Sequence, residues 1–187
     1  MIRKFSNPKT QSYRNFKSLI LGNNFPWYRS EELMNPTIVD SWAVNVDDVG
    51  QYSNTPFWGH SFLQMNPYKP YPEVSSPYID NYQAVLAEIF NFHKIPFALV
   101  VRLCVNLVYP NPHGPQQTIP HVDHPFPHKA MMIYLTDAGG EFICEDEKHH
   151  PREDDIIVID GEEHSFVLPQ KKPRVTLIAT YIEEDDK

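Results

Sequence analysis

Between Ala98 and Ile182 the chain alternates short strand-forming runs with turn residues, and this alternation constrains its fold more than any other feature. The runs are Ala98 to Tyr109, Lys129 to Thr136, Gly140 to Cys144, Ile156 to Asp160, His164 to Leu168 and Arg174 to Ile182. Turn residues separate them, as they do between strands. Short strands at such spacing predict a mainly β fold with flanking helices, a sandwich or jelly roll, in which a small-molecule pocket can lie between two sheets. Eighteen prolines run from Pro8 to Pro173, about twice the usual share of roughly 5%. Spread in this way they punctuate many short elements and disfavour long helices.

One segment breaks the β pattern. From Pro77 to His93, residues Tyr82, Val85, Leu86, Ile89, Phe90 and His93 recur at helical intervals, which predicts an amphipathic helix that Pro96 ends. Before it, Met1 to about Pro77 is aromatic-rich and irregular. Phe25-Pro26-Trp27-Tyr28 and the stretch Tyr52 to Tyr71 predict short strands and packed loops between brief helical turns, without a catalytic spacing. Arg3, Lys4, Lys9, Arg14 and Lys17 make the start basic and free of acids, which predicts a solvated terminal arm rather than a transit peptide. A length of 187 residues with 41% apolar content suffices for one core. The expectation is a single domain over 1–187, with N-terminal elements and a packing helix over 1–97 and a jelly-roll core over 98–182. Glu183-Glu184-Asp185-Asp186 reads as a solvated acidic tail.

A formal net charge of -8 argues against a nucleic-acid or anionic-membrane binder, because neutralising phosphates requires clustered Lys and Arg. Cys104 and Cys144 are the only two cysteines, each within an apolar stretch, with no CxxC pair or disulfide framework. No run approaches 18 uninterrupted apolar residues and the start lacks an apolar signal region. These features predict a soluble protein of a reducing, cytoplasmic compartment.

The chemistry-bearing pattern is His121-Val122-Asp123, followed at a distance by His164. In an extended segment His121 and Asp123 share a face while Val122 points away. Two imidazoles and one carboxylate form the facial triad that holds Fe(II) and leaves its remaining positions open. His164 follows Asp160-Gly161 at the start of a strand, where strand pairing can return it to the first two. Surface or hydrogen-bonded histidines are the commoner outcome for a chain with nine of them. His121, His124 and His128 also offer a nitrogen-rich zinc site, but Pro125 and Pro127 forbid the helix that would align them. His149 and His150 read as part of a solvated loop. Arg174 opens the last strand, where alternation places it on one face with Thr176 and Ile178. A guanidinium there can grip a carboxylate with two hydrogen bonds, belonging either to a ligand or to an acidic side chain of the protein.

Taken together, these residues resemble the Fe(II)- and 2-oxoglutarate-dependent oxygenases, in their prolyl-hydroxylase-like branch, over roughly Ala98 to Ile182. His121-Val122-Asp123 is similar to the family's HxD, His164 to its distal histidine and Arg174 to the residue that pairs with the far carboxylate of 2-oxoglutarate. Tyr109-Pro110, Tyr134-Leu135 and Gly139-Gly140 resemble segments lining the cosubstrate pocket. The resemblance implies a double-stranded β-helix, with Fe(II) on His121, Asp123 and His164, 2-oxoglutarate as cosubstrate and dioxygen as oxidant. It further implies that Arg174 anchors 2-oxoglutarate with help from Thr176, Tyr134 and Tyr109, and that a small-molecule or peptidyl substrate is hydroxylated at a C–H bond, a prolyl or other protein residue being the first guess. Gly139-Gly140-Glu141-Phe142 also spells a diguanylate-cyclase signature, but the β-rich context lacks the larger α/β domain that activity needs.

Two other classes fit parts of the pattern. A jelly-roll binding protein without redox chemistry would use the 13% aromatic content to hold a carbohydrate or peptide. A zinc hydrolase would use His121, His124 and His128.

Overall fold

The structure is a computed structural model that describes residues 1–31, 51–53, 55–65 and 69–184. Its strands, in chain order, are β1 (Arg3–Phe5), β2 (Tyr28–Ser30), β3 (Phe57–Met65), β4 (Pro72–Val74), β5 (Leu99–Val108), β6 (Lys129–Tyr134), β7 (Phe142–Cys144), β8 (Glu147–His149), β9 (Ile156–Ile159), β10 (His164–Phe166) and β11 (Arg174–Ile182). Among the described residues the helices are α1 (Gln11–Ile20) and α2 (Ile79–His93). The major sheet runs β1-β9-β6-β11-β5-β3-β2, with β4 on β3, and the minor sheet runs β10-β7-β8. All pairings between the named strands are antiparallel. Two antiparallel sheets packed in this order form a jelly roll, as the strand spacing predicts.

The two faces of the major sheet have different work. Leu103, Val105, Val175, Leu177, Ala179 and Tyr181 point to one side and pack with Tyr13, Phe16 and Ile20 of α1 and Val85, Leu86, Ile89 and Phe90 of α2. The opposite face looks toward the minor sheet, where Met132, Tyr134, Phe142 and Ile157 form a smaller apolar cluster. Period-two alternation is the reason a single strand can serve both. In β5, Leu103 and Val105 are fully buried toward the helices, while Arg102, Cys104 and Asn106 face the space between the sheets.

The six expected strands and the Pro77–His93 helix appear with small shifts at their ends. Lys94 closes α2 in the left-handed conformation at φ 54°, two residues before Pro96. The first residues, by contrast, are not a solvated arm. Arg3–Phe5 pairs with β9, and α1 is capped by the Thr10 hydroxyl, which accepts from the Tyr13 amide at 3.2 Å. In α1 Arg14 is exposed and Lys17 pairs with Asp154, while Tyr13, Phe16 and Ile20 on the inner side are almost fully buried. β3 is likewise a nine-residue strand that pairs with β5, where short strands and loops were expected. His149 is not in a solvated loop either. It ends β8 and is 5% exposed. Asp185 and Asp186 of the acidic tail lie outside the described residues, and Glu183 pairs with Lys129 at 3.0 Å.

A turn between β8 and β9 ties α1 to the sheet. Asp154 receives Tyr13 and Lys17 from α1 and Lys9 at 2.9 Å. Its backbone amide donates to the Tyr134 carbonyl at 2.7 Å, and the Tyr134 amide donates to the Asp155 carbonyl at 3.0 Å. The clamp therefore also buttresses a residue that faces the cavity. Burial alone would push the Asp154 carboxyl up, but the donors from Lys17, Tyr13 and Lys9 outweigh it and bring it down to about 2. A carboxyl held below its unfolded value contributes stability above about pH 4 that is lost as pH falls toward 2. Asp154→Asn is expected to lower stability by about 1 kcal/mol at neutral pH, after discounting for the partly exposed lysines. An unchanged urea midpoint would show that the clamp contributes nothing.

Candidate metal centre

Prolines shape the segment between β5 and β6. Ile119, His124 and Phe126 each precede a proline, which disfavours helix and keeps the chain extended. The extended run is pinned to β10. His121 and His164 exchange backbone hydrogen bonds of 3.0 and 2.9 Å, the Thr118 amide donates to the Phe166 carbonyl at 2.9 Å, and the Thr118 hydroxyl accepts from the Phe166 amide at 3.0 Å. The pairing makes His121 and His164 direct neighbours, with ring centroids 4.5 Å apart. Asp123, two residues on, lies on the same side.

His121, Asp123 and His164 offer ligand atoms that all lie within 4.8 Å of one another. The two rings are held alike. Nδ1 of His121 lies 3.0 Å from the Ile119 carbonyl and Nδ1 of His164 lies 3.0 Å from the Glu162 carbonyl. Because a carbonyl only accepts, each Nδ1 carries a proton, which leaves Nε2 as the ring atom free to face a ligand. Nε2 of His164 stands 3.9 Å from Oδ2 of Asp123, a gap with room for an ion between them. Burial, and then the neighbouring His164, push the His121 imidazole down to about 4, so it is neutral at neutral pH. Burial would push the Asp123 carboxyl up, but the Arg102 guanidinium holds it well below the usual carboxylate range. Two imidazoles and one ionised carboxylate are the donor set that suits a first-row divalent metal such as Fe(II).

The triad borders a cavity of about 360 Å³, within the usual size of ligand pockets. Its floor is the inner face of the major sheet, laid out in rungs. Tyr134, Thr176 and Asn106 form one rung, and Met132, Ile178, Cys104 and Ser61 the next. Arg102 and Thr180 form a third, beside Asp123. Phe142 and Phe166 wall the cavity from the minor sheet.

Arg174 lies at the other end, 4% exposed. One nitrogen donates to the Val167 carbonyl at 3.1 Å and the guanidinium stacks 4.1 Å over the Phe166 ring. No carboxylate among the described residues pairs with it, so the alternative of an internal ion pair is not what this fold builds. Burial pushes the group down to about 10, which still leaves it charged at neutral pH. Thr176 lies on the same inward row, and Tyr134 opposite Thr176 has no protein partner for its hydroxyl among the described residues. Burial pushes the Tyr134 phenol up, so it remains a donor.

Other expected site residues lie elsewhere. Tyr109 does not line the cavity; it is 46% exposed and packs edge-on against Trp58. Its backbone at the end of a strand points its ring away from Arg174's row. His124 lies 2.8 Å from the Thr180 hydroxyl through Nε2 and stacks on Phe126. His128 directs Nδ1 at the Phe126 carbonyl. Neither converges with His121, so the three-histidine zinc arrangement is not assembled. Many N-terminal aromatics also go to packing, with Phe16, Phe25 and Phe62 all inside the core.

Reasoning from the sequence missed Arg102, Asn106, Ser61 and Gln64, all of which line the cavity. The signal was present in Arg102-Leu103-Cys104-Val105-Asn106, where every second residue is polar or small inside an otherwise apolar strand.

No protein-family model and no curated protein matches the chain. Solved structures do. A 2OG-Fe(II) oxygenase family oxidoreductase from Burkholderia pseudomallei superposes with a TM-score of 0.58 at 13% identity, covering 97% of this chain and 95% of its own. The non-heme alpha ketoglutarate dependent epimerase SnoN from nogalamycin biosynthesis gives 0.55 at 12% identity, covering 97% and 78%. The chain has the double-stranded β-helix fold. At these identities the likeness is one of fold. A viral collagen prolyl hydroxylase from Paramecium Bursaria Chlorella virus-1 is more distant, with a TM-score of 0.47 at 14% identity over 82% of this chain and 94% of its own. Among the described residues, no helix is long and apolar enough to cross a membrane.

Gly139 and Gly140, ahead of β7, both have positive φ, 71° and 80°. A Cβ at Gly139 would meet nothing, whereas one at Gly140 would stand 2.4 Å from the Val167 carbonyl oxygen that receives Arg174. Gly139→Ala is expected to cost only the left-handed penalty, about 1–2 kcal/mol. Gly140→Ala adds a backbone clash and is expected to cost more than Gly139→Ala in denaturant unfolding. Equal losses would mean that the close approach at Gly140 is unimportant.

Proposed function

We propose that this protein is an Fe(II)- and 2-oxoglutarate-dependent dioxygenase that hydroxylates a C–H bond of a small-molecule or peptidyl substrate, with a prolyl or other protein residue as the first class to test. The observation that carries this reading is Arg174, a buried cation without a carboxylate partner among the described residues, in the same cavity as the converged triad. An uncompensated buried charge costs several kcal/mol. A dicarboxylate lying between Arg174 and a metal on the triad would offset that cost at one end and complete the coordination at the other. The fold shared with the 2OG-Fe(II) oxygenase family oxidoreductase and with the alpha ketoglutarate dependent epimerase agrees with it.

His121, Asp123 and His164 would hold Fe(II) through Nε2, a carboxylate oxygen and Nε2. With 2-oxoglutarate and dioxygen, the iron would supply the oxidant for C–H hydroxylation, and succinate and carbon dioxide would form from the cosubstrate. Arg174 would bind the far carboxylate of 2-oxoglutarate with charge-assisted hydrogen bonds. Thr176 and the Tyr134 hydroxyl flank that position and would fix the orientation of the cosubstrate. Phe142, Phe166, Met132 and Ile178 keep the space between these two ends apolar, which excludes water from the reacting atoms.

The direct test is an anaerobic titration of metal-free protein with Fe(II) and then 2-oxoglutarate, followed by the visible charge-transfer band of the chelate. The band is expected for the native protein and absent for His121→Ala and Asp123→Ala, which are also expected to lose succinate production. A folded native protein without the band would overturn the proposal. Arg174→Met is expected to weaken 2-oxoglutarate binding by about 1.5–3 kcal/mol while metal affinity is retained. Its metal-free form should be at least as stable as the native protein, because an uncompensated buried charge is removed and no carboxylate is left unpaired. A large loss of stability would instead mark Arg174 as a structural residue.

A further inference from the structure

Arg102 interrupts an apolar strand and turns its guanidinium into the cavity. One nitrogen lies 2.6 Å from Oδ1 of Asp123, and the other carboxylate oxygen, Oδ2, faces His164. Arg102 is bordered in the sheet by Thr180 and, one strand further, Ala130, small side chains that leave the guanidinium room. Its Nε is buried without a hydrogen-bond partner among the described residues. For stability alone this is a poor arrangement, since an apolar pair of similar volume is often as stable as a buried ion pair. Asp123 is the single carboxylate lining the cavity among the described residues, and Arg102 binds no other.

We propose that Arg102 is a positioning residue of the metal centre: by occupying Oδ1 it fixes the plane of the Asp123 carboxylate and presents Oδ2 alone to the ion. The inference rests on the metal-site reading above. A carboxylate can bind a metal through one oxygen or both, and its terminal torsion is soft. A charge-assisted hydrogen bond to one oxygen removes that freedom. With Oδ1 taken, Asp123 would offer a metal one ligand atom, leaving more of its positions for other ligands.

Simple electrostatics gives the opposite sign for the consequence. A guanidinium beside a divalent cation repels it, so if Arg102 acted only as a charge, its removal would tighten metal binding. A positioning role requires removal to loosen it. Losing an outer partner of a metal ligand typically costs about 10- to 100-fold in affinity.

The test is Mn(II) titration of the full-length metal-free protein by calorimetry, with Arg102→Met and Arg102→Lys beside the native chain, and the Co(II) absorption spectrum of each. Arg102→Met is expected to lose about 10- to 100-fold in Mn(II) affinity. Lysine keeps the charge but lacks the planar fork, so Arg102→Lys is expected to regain part of the affinity with a Co(II) band altered from native. Mn(II) binding to Arg102→Met as tight as native, or tighter, overturns the proposal. If that variant does not fold, Arg102→Lys with native affinity and a native Co(II) band overturns it equally. Failure of the native protein to bind Mn(II) would instead overturn the metal-site reading itself.

Discussion

The pair of backbone hydrogen bonds between His121 and His164 is the constraint on which the site depends. It is an isolated bridge, not part of a long ladder. It nevertheless fixes two side chains from distant parts of the chain as neighbours, because directly opposed residues of an antiparallel pair share a face. Once they are opposed, i to i+2 spacing brings Asp123 to the same place. The surrounding contacts maintain the bridge: Thr118 bonds to the Phe166 backbone, and Gln117 donates to the Ser165 hydroxyl at 3.0 Å. Prolines on both sides restrict the segment to extended conformations and reduce the entropy lost in holding it.

The major sheet divides the protein into a packing side and a chemical side. Helices α1 and α2 cover its outer face with apolar side chains, so the inner face of β5 and β11 is free to carry polar groups. Such groups are costly in a sealed core. Here they face a cavity, and the two guanidiniums at its ends, Arg102 and Arg174, have different surroundings. Arg102 is neutralised by Asp123, whereas Arg174 has a backbone carbonyl and an aromatic ring. The cavity therefore retains an excess of positive charge at Arg174's end, which is suited to an anionic ligand.

Much of the β architecture was legible because period two and turn residues are local signals. The runs from Ala98 to Ile182 correspond to β5 to β7 and β9 to β11, and the Pro77–His93 periodicity to α2. Elements whose signal was weak or whose stability comes from distant partners were not legible. In α1, basic residues obscured Tyr13, Phe16 and Ile20, whose buried spacing matters only once α2 and the sheet provide a surface. In β3, Gly59 and several polar residues diluted the alternation, and pairing with β5 makes it a strand. His149 looked like one of several loop polar residues, yet β7 draws it into a sheet.

The sequence by itself determined the candidate ligand types and their local geometry: His121 and Asp123 share a face because a proline-bounded segment favours extended backbone, and Arg174 and Thr176 share one because strands alternate. It also contained Arg102 as a charge in an apolar strand, without saying what that charge meets. The sequence pointed to His164 as the third member; tertiary structure alone decided how closely it meets the pair, that Tyr109 turns outward while Tyr134 turns in, and that Arg102 holds Asp123. Those outcomes depend on strand register and sheet packing, which sum many weak long-range contacts, and no local spacing encodes that sum.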